Sequence, residues 1–268
     1  MKTALTIAGS DSSGGAGIQA DLKTFSAHGL FGMSVIVAVT AQNTQEVIAV
    51  QDIDPDIIGK QIDAIFKDIA VDVVKIGMVS QVESILTIAD RLRLYDPEII
   101  VLDTVMVSKS GYDLLNPEAV DTLIGELLPI ATVVTPNIPE AEKIVGEKIE
   151  SIADMEEAAK FIYDMGAKNV LITGGHLEGD AVDVLFDGDT FTHYGSPKIE
   201  TKNTHGTGCT LSSAIASNLA LGMDITKAIF EAKDYIDDVI AHSLDIGKGA
   251  GPTNHFYRLY RDSGMEVR

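Results

Sequence analysis

Short apolar runs alternate along the chain with longer segments whose apolar residues recur at helical spacing. The runs TALTIA (3–8), MSVIVAVTA (33–41), VDVVKIGM (71–78) and EIIVLD (98–103) are each followed by a polar or glycine-containing segment. Such runs are typical of buried parallel strands, and their alternation with helical patterns predicts βαβ units. The sequence therefore predicts an α/β fold, a three-layer sandwich with a mainly parallel central sheet and helices on both faces.

The helical spacing of apolar residues between these runs predicts the helices. We predict helices over residues 18–28, 55–69, 117–127, 151–165 and 224–243. A further helix is predicted from the end of the third apolar run through about residue 93. Residues 168–196 instead predict three strands, the last two forming a hairpin closed at Asp187-Gly188-Asp189. We expect this hairpin to lie antiparallel at one edge of the sheet. With no internal repeat or low-complexity tract, we expect one domain over residues 1–268 and no separate lid domain.

Composition narrows the classes of function. The chain has 268 residues, 46% of them hydrophobic, and a formal charge of −20, which disfavours a nucleic-acid-binding surface. No apolar run is long enough to cross a bilayer, and the apolar part of the N-terminal segment is too short for a secretory signal. A single cysteine cannot form an internal disulfide, which fits a reducing cytoplasm.

Residues 203–222, NTHGTGCTLSSAIASNLALG, join a glycine-containing turn to a long helix of small and apolar residues. Gly206 and Gly208 permit backbone conformations that a Cβ would obstruct, so consecutive amides can converge in front of the helix. These amides and the helix dipole favour an anion, and phosphate is a natural occupant. The same field would favour the thiolate of Cys209. A buried cysteine behind an ordinary loop is the alternative.

The segment HGTGCTLSSAIASNLALG closely resembles the anion-hole segment of the ribokinase-like small-molecule kinases. A cysteine where these kinases usually have aspartate is the form seen in the branch of hydroxymethylpyrimidine and phosphomethylpyrimidine kinases, together with some pyridoxal kinases. The segments AGSDSSGGAGIQADLKTFSAHG, TAQNT, VKIGM, TPNIPEAE, ITGGH and GAGPTNHF resemble the same branch. The loop SDSSGGAG lacks the Gly-Lys-Ser/Thr ending of a P-loop, which excludes Walker-type phosphate binding.

The resemblance implies a ribokinase-like fold and a catalytic set at the start of the helix. Cys209 would be the general base for the substrate hydroxyl group. The backbone amides of Gly206, Thr207, Gly208 and Cys209 would stabilise charge on the transferred phosphoryl group.

Two carboxylates are predicted to serve Mg²⁺, the metal that the resemblance implies beside ATP. Asp103 leaves a buried strand, where a carboxylate needs solvent, a partner or a metal. Glu140 lies in the first turn of a predicted helix, after the TPN segment. A cap or turn residue and a dipole complement are the alternatives at these positions. Thr104 follows Asp103 where the family pattern has proline, which leaves the path of the next loop open; Val107–Asp113 is predicted to be a flap.

Gln42 follows a buried strand, at the edge where ligands of open α/β sheets bind. A strand cap or a solvent-facing amide is the alternative. The resemblance implies that Gln42 holds the substrate ring and that Gly9, Asp21, Met78 and Val105 form its pocket. By itself, a methionine at this position is more often a core residue than a ligand contact.

Four residues are predicted to bind ATP: Asn137 in the TPN segment, Thr173 and Gly175 after a strand, and Lys75. Lys75 lies among apolar residues and needs a partner or a water-filled cleft. The glycine-rich segment GKGAGPTNHF either wraps adenine or is a loose connection.

The function that the resemblance implies is ATP-dependent phosphorylation of 4-amino-5-hydroxymethyl-2-methylpyrimidine, and then of its monophosphate, in thiamine biosynthesis. A pyridoxal kinase of the same fold is the nearest alternative. A non-catalytic pyrimidine- or nucleotide-binding regulator is the alternative from another class. Similar enzymes are commonly dimers, so we expect a homodimer and neither a nucleic acid nor a membrane partner.

Overall fold

The structure is a computed structural model that describes residues 1–106, 115, 117–175 and 180–265. Its strands are β1 (Thr3–Asp11), β2 (Phe31–Gln42), β3 (Val47–Asp52), β4 (Val73–Ile76), β5 (Ile100–Leu102), β6 (Val133–Val134), β7 (Val170–Ile172), β8 (Ala181–Phe186) and β9 (Phe191–Ser196). Its α-helices are α1 (Gly17–Ala27), α2 (Pro55–Phe66), α3 (Val82–Tyr95), α4 (Pro117–Glu126), α5 (Ile138–Val145), α6 (Ile152–Asp164), α7 (Thr207–Ala220), α8 (Ile225–Ala241) and α9 (Tyr257–Ser263). The predicted flap, Val107–Asp113, lies outside the described residues.

The strands form one sheet in the order β3-β2-β1-β4-β5-β6-β7-β8-β9. The pairs from β2 to β7 are parallel, whereas β3 at one edge and the β8–β9 hairpin at the other pair antiparallel. The predicted mainly parallel sheet and the edge hairpin are thus confirmed. The strand order changes direction between β1 and β4, and ligands of open α/β sheets bind beside such a point.

The buried strands contribute to a separate core on each face of the sheet. In β4, Val74 and Ile76 pack in the core with α2 to α6, while Val73 packs in the opposite core with α7 and α8. Because side chains alternate between the two faces of a strand, Lys75 points to the same face as Val73. A charged side chain is thereby directed into the layer that contains α7.

The predicted helices are present, and their observed ends lie within three residues of the predicted ones. Two helix starts near the site differ in chemistry. At the start of α5, the Asn137 side chain accepts from the Glu140 amide while the Glu140 carboxylate accepts from the Asn137 amide. At the start of α7, the N-cap is Gly206, which has no side chain to cap the helix. Among the described residues, the helices are too short or too polar to cross a bilayer.

Candidate active site

A cleft of about 780 Å³ lies at the carboxyl ends of the parallel strands. It is bounded by the segments after β1, β2, β4, β5 and β7 and by the starts of α5 and α7. All but two of the predicted site residues line it: Gly9, Gln42, Met78, Asp103, Val105, Asn137, Glu140, Thr173, Gly175, Gly206, Thr207, Gly208 and Cys209. Parallel strands bring these distant motifs together because their carboxyl ends share one edge of the sheet.

The start of α7 presents backbone amides to this cleft. Gly206 adopts a left-handed conformation with φ 78°, which favours glycine. The next three residues, Thr207, Gly208 and Cys209, form the first turn and line the cleft. First-turn amides have no partner within their own helix, so they are available to an anionic group.

The thiol of Cys209 faces the cleft and keeps partial exposure. Burial raises its pKa to about 12; Lys75 and a hydrogen bond from the Gly17 backbone lower the pKa, whereas Asp103 and Asp21 raise it. The predicted preference for a thiolate is therefore corrected. Loss of hydration and two nearby carboxylates favour the protonated thiol, and no sequence pattern indicated that these carboxylates would face the cysteine.

The two remaining predicted residues, Asp21 and Lys75, are fully buried and are absent from the cleft lining. The Lys75 ammonium lies 2.9 Å from Asp21 Oδ1 and 3.5 Å from Asp103 Oδ2. Asp21 also accepts hydrogen bonds from the hydroxyl groups of Thr6 (2.6 Å) and Ser213 (2.7 Å). The predicted direct contacts of Asp21 with substrate and of Lys75 with ATP are therefore corrected: these residues form an ion pair beneath the cleft floor.

Asp103 and Glu140 bring two buried carboxylates to the middle of the cleft. Glu140 accepts hydrogen bonds from the Thr104 hydroxyl (3.1 Å) and from the amides of Met106 (3.3 Å) and Asn137 (3.1 Å). Burial, and then the charge of Asp103, raise the pKa of Glu140 to about 7. Burial likewise raises the pKa of Asp103.

This donor set fits Mg²⁺. The raised pKa of Glu140 indicates negative charge that the surrounding protein does not balance, and a divalent cation would balance it. The described part of the chain brings together no group of three or more His, Cys, Asp or Glu side chains suited to a metal. One or two carboxylates suffice for Mg²⁺, which retains water ligands and binds substrate phosphates.

The ring-binding end predicted from the sequence lies at the ends of β1 and β2. The backbone of Gln42 is fixed by the Ser12 hydroxyl, which donates to its carbonyl (2.8 Å) and accepts from its amide (2.9 Å). The single proton of the Thr40 hydroxyl faces two acceptors, the Ser10 carbonyl at 3.0 Å and Gln42 Oε1 at 3.1 Å. Met78 is 9% exposed and belongs to the core as well as to the cleft wall, so its predicted core packing is observed and its contact with a substrate ring stays a prediction.

Sequence reasoning missed a charged group at the opposite end of the cleft, near Thr173 and Gly175. Lys233 on α8 lies 2.7 Å from Asp183 on β8, and Asp183 accepts the Gly174 amide at 2.9 Å. Both charged residues are buried and line the cleft. One signal was available, because Lys233 lies in line with the buried Ile229 and Ile236 on the apolar stripe of α8.

The segment GKGAGPTNHF is not a loose connection, because its backbone is held by hydrogen bonds to two other segments. The amides of Gly249 and Ala250 donate to Thr44, in the turn between β2 and β3, and the Gly251 amide donates to Asn203 Oδ1. Residues 247–255 do not line the main cleft, whereas Gly249 and Ala250 line a neighbouring pocket beside Gln42 and His205. Sequence alone could not show that the turn at Thr44 receives this segment.

Comparisons with known proteins place the chain among kinases. The family described as phosphomethylpyrimidine kinase matches residues 11–254. A hydroxymethylpyrimidine/phosphomethylpyrimidine kinase of Rhizobium meliloti strain 1021 is 53% identical over 263 residues, 97% of this chain and 98% of the relative. The crystal structure of phosphomethylpyrimidine kinase from Clostridium difficile 630 matches with a TM-score of 0.81 and 55% identity, covering 90% of this chain and 100% of that one.

A pyridoxal kinase is also similar. The ADP complex of Bacillus subtilis pyridoxal kinase matches with a TM-score of 0.89 and 42% identity, covering 95% of this chain and 97% of that chain. Similarity of fold therefore extends to kinases that act on a different ring. The family match over most of the chain and the high identity to its members decide membership. This chain belongs to the phosphomethylpyrimidine kinase family.

Proposed function

We propose that this chain catalyses ATP-dependent phosphorylation of 4-amino-5-hydroxymethyl-2-methylpyrimidine, and then of its monophosphate, in thiamine biosynthesis. One observation carries the proposal: a single cleft combines an uncapped helix start, a thiol beside it, two buried carboxylates and a glutamine at the end of β2. Such a cleft can bind a phosphoryl group, a metal and an aminopyrimidine at once. Family membership and the identity to named kinases of this substrate support the choice.

At the reacting centre, Cys209 is proposed as the base that accepts the proton of the substrate hydroxyl. The amides at the start of α7 would bind the transferred phosphoryl oxygens, where negative charge is stabilised without reorganisation of the protein. Because the pKa of the thiol is about 12, the thiolate is a minor species at neutral pH. The monophosphate already presents an ionised oxygen at neutral pH, so the second phosphorylation would not need this base.

Asp103 and Glu140, with Asn137 beside them, would hold Mg²⁺. When bound, the ion would neutralise phosphate charge and the two carboxylates together. Glu140 already has an oxygen fixed by the Thr104 hydroxyl, so the threonine that replaces the family's proline orients this carboxylate. Thr173 and Gly175 are proposed to bind ATP at the end of the cleft near β7 and β8.

Gln42, with Gly9, Met78 and Val105, is proposed to bind the ring. A primary amide can donate to an acceptor ring nitrogen and accept from an adjacent amino group, the pair that an aminopyrimidine presents. Gln42 Oε1 shares the Thr40 hydroxyl proton with the Ser10 carbonyl, so Oε1 keeps a lone pair for the substrate.

We further propose that residues 1–268 act as one ribokinase-like domain without a separate lid, in the cytoplasm and as a homodimer. The continuous sheet of the described residues supports the first point, and the lone cysteine supports a reducing compartment. The homodimer rests on resemblance to kinases of this branch.

Pyridoxal kinase is the second candidate, and the similarity to the Bacillus subtilis enzyme favours it. ATP consumption should be measured with the aminopyrimidine, its monophosphate and pyridoxal, at several concentrations of each. We expect a higher kcat/KM for the aminopyrimidine than for pyridoxal. A preference for pyridoxal would support the second candidate, and no alcohol-dependent ATP consumption would support the non-catalytic regulator.

A further inference from the structure

The loop after β1 is organised around the carboxylate of Asp11. This side chain is buried and accepts the backbone amides of Ser13 (2.8 Å), Gly15 (3.1 Å) and Ala16 (2.8 Å). Burial raises the pKa of Asp11, but hydrogen bonds from His205, Ser13 and Ala16 lower it by more than burial raises it, and the resulting pKa is about 2. The loop that borders the ring-binding end therefore takes its shape from one ionised group.

The same carboxylate contacts the residue that precedes the helix start of the anion-binding segment. His205 Nε2 lies 2.8 Å from Asp11 Oδ2, and the histidine is 6% exposed. The His205 amide donates to the Gly251 carbonyl at 3.1 Å, which fixes the backbone on the other side. His205 is thus held at both its ring and its backbone, one residue before the N-cap of α7.

The two loops also touch through their backbones. A Cβ on Gly206 would overlap the carbonyl oxygen of Gly15, and a Cβ on Gly15 would overlap the ring of His205. Direct backbone contact leaves no intervening flexible side chain that could absorb a displacement. A shift of the loop at Asp11 would therefore be transmitted to the amides at the start of α7.

We propose that Asp11 and His205 are a positioning pair that fixes the phosphoryl-binding amides of α7 relative to the loop that borders the substrate. This inference rests on the proposed function. Both residues line the cleft, and the role assigned to them is exerted through the backbone of Gly206 and its neighbours. Stabilisation of a developing charge requires donors held at hydrogen-bond distance from it, and a displacement of about 1 Å can cost about 10²-fold in rate.

The first test compares His205→Ala with His205→Gln. Alanine removes the donor to Asp11, and we expect kcat to fall by about 10²-fold for both phosphorylations, with KM values for ATP and the alcohol close to those of the unaltered protein. Glutamine places an N–H near the position of Nε2, so it should restore most of kcat. Asp11→Asn should resemble His205→Ala, and the double variant should lose little more than either single one.

His255→Ala is the matched control. His255 is also a buried histidine, 4% exposed, and its Nε2 lies 3.1 Å from the hydroxyl of Thr210 on the same helix. The Thr210 hydroxyl also donates to the Gly206 carbonyl at 2.8 Å, a bond within the helix that does not require His255, and among the described residues no hydrogen bond joins His255 to the loop at Asp11. We expect His255→Ala to lower the Tm while leaving kcat near that of the unaltered protein, so any general effect of lost stability is measured separately.

A binding experiment without turnover tests the position of the amides directly. ADP and Mg²⁺ are titrated into each variant with and without aluminium fluoride, which imitates the phosphoryl group in transfer. We expect His205→Ala to bind ADP normally and to lose affinity for ADP with aluminium fluoride by about the factor lost in kcat. If His205→Ala does not fold, Asp11→Asn and His205→Gln are assessed by the same measurements.

The inference is overturned if His205→Ala keeps its kcat, if His255→Ala loses as much kcat as His205→Ala, or if ADP is weakened equally with and without aluminium fluoride. Each of these outcomes would show that Asp11 and His205 form an ordinary structural contact without a positioning role. Failure of the proposed function gives a different result, since the unaltered protein would then prefer pyridoxal or phosphorylate none of the three acceptors. The comparison of ADP with and without aluminium fluoride would still decide the role of the pair.

Discussion

Replacing Lys75 with methionine tests how strongly the fold depends on the ion pair beneath the cleft. Methionine keeps most of the side-chain volume but leaves Asp21 and Asp103 without the cation that lies 2.9 Å and 3.5 Å away. Loss of one partner from a fully buried pair costs about 3–5 kcal/mol because the remaining charge is uncompensated. For a chain of this size, that corresponds to a fall in Tm of roughly 6–20 °C. Urea unfolding and calorimetry at neutral pH would measure both quantities.

The direction of the pKa shift of Asp103 determines how this loss of stability depends on pH. Burial raises the pKa of Asp103, and Lys75 opposes the rise, so removing Lys75 should raise this pKa further. A carboxyl group with a raised pKa in the folded state binds its proton more tightly there than in the unfolded chain. Folding is therefore favoured relative to neutral pH as the pH falls through the raised value. The stability difference between Lys75→Met and the unaltered protein should narrow as the pH falls from 7 toward the usual carboxyl range.

Two further variants serve as controls for Lys75→Met. Adding Asp21→Asn should recover part of the lost stability, since one of the two unbalanced charges is removed. Lys60→Met breaks an exposed pair with Asp56 on α2, where side-chain exposures are 67% and 69%, and should cause no measurable loss. An unchanged Tm in Lys75→Met, or a deficit that does not vary with pH, would refute the view that Lys75 balances the buried carboxylates.

Three other predictions concern the proposed chemistry. Cys209→Ala should slow the first phosphorylation by about 10²- to 10⁴-fold and the second much less; equal losses in single-turnover measurements of both steps would contradict this. In the unaltered protein, only the rate of the first phosphorylation should rise about tenfold per pH unit below the thiol pKa of about 12. Asp103→Asn and Glu140→Gln should fold and should need more Mg²⁺ for turnover, and an unchanged Mg²⁺ dependence would leave them structural roles. Gln42→Met should lower kcat/KM roughly 10- to 100-fold for the aminopyrimidine and little for pyridoxal; equal losses would mean that Gln42 does not select the substrate.

Sequence reasoning predicted residues that follow strands more successfully than it predicted contacts between elements. Gln42, Asp103 and Thr173 each follow an apolar run, and parallel topology brings the ends of such runs to one edge. The pattern of apolar runs was therefore enough to predict that these three side chains lie at the same edge of the sheet. The special conformation of Gly206 was equally predictable, because a left-handed N-cap without a side chain has a local cause. The same expectation for Gly208 was wrong, since Gly208 lies inside α7 without a left-handed φ and with space for a Cβ.

Contacts that depend on distant parts of the chain were not predictable in the same way. The sequence showed that Lys75 needs a partner, but that partner, Asp21, lies 54 positions away. The pKa of Cys209 depends on Lys75, Asp103 and Asp21 together, and these residues belong to three other segments. A local pattern predicts that a buried charge must be balanced but not which residue balances it.

The wide separation of the paired residues along the sequence also affects how the chain folds during its synthesis. Asp11 and His205 are 194 positions apart, and Asp21 and Ser213 are 192 apart. At about 5–20 residues per second, roughly 10–40 s pass between emergence of the first and second member of each pair from the ribosome. Throughout that interval Asp11 and Asp21 have their nearby donors but lack the contacts that come from His205 and Ser213. The face of β1 and α1 that packs against α7 can therefore be covered only after α7 has been made.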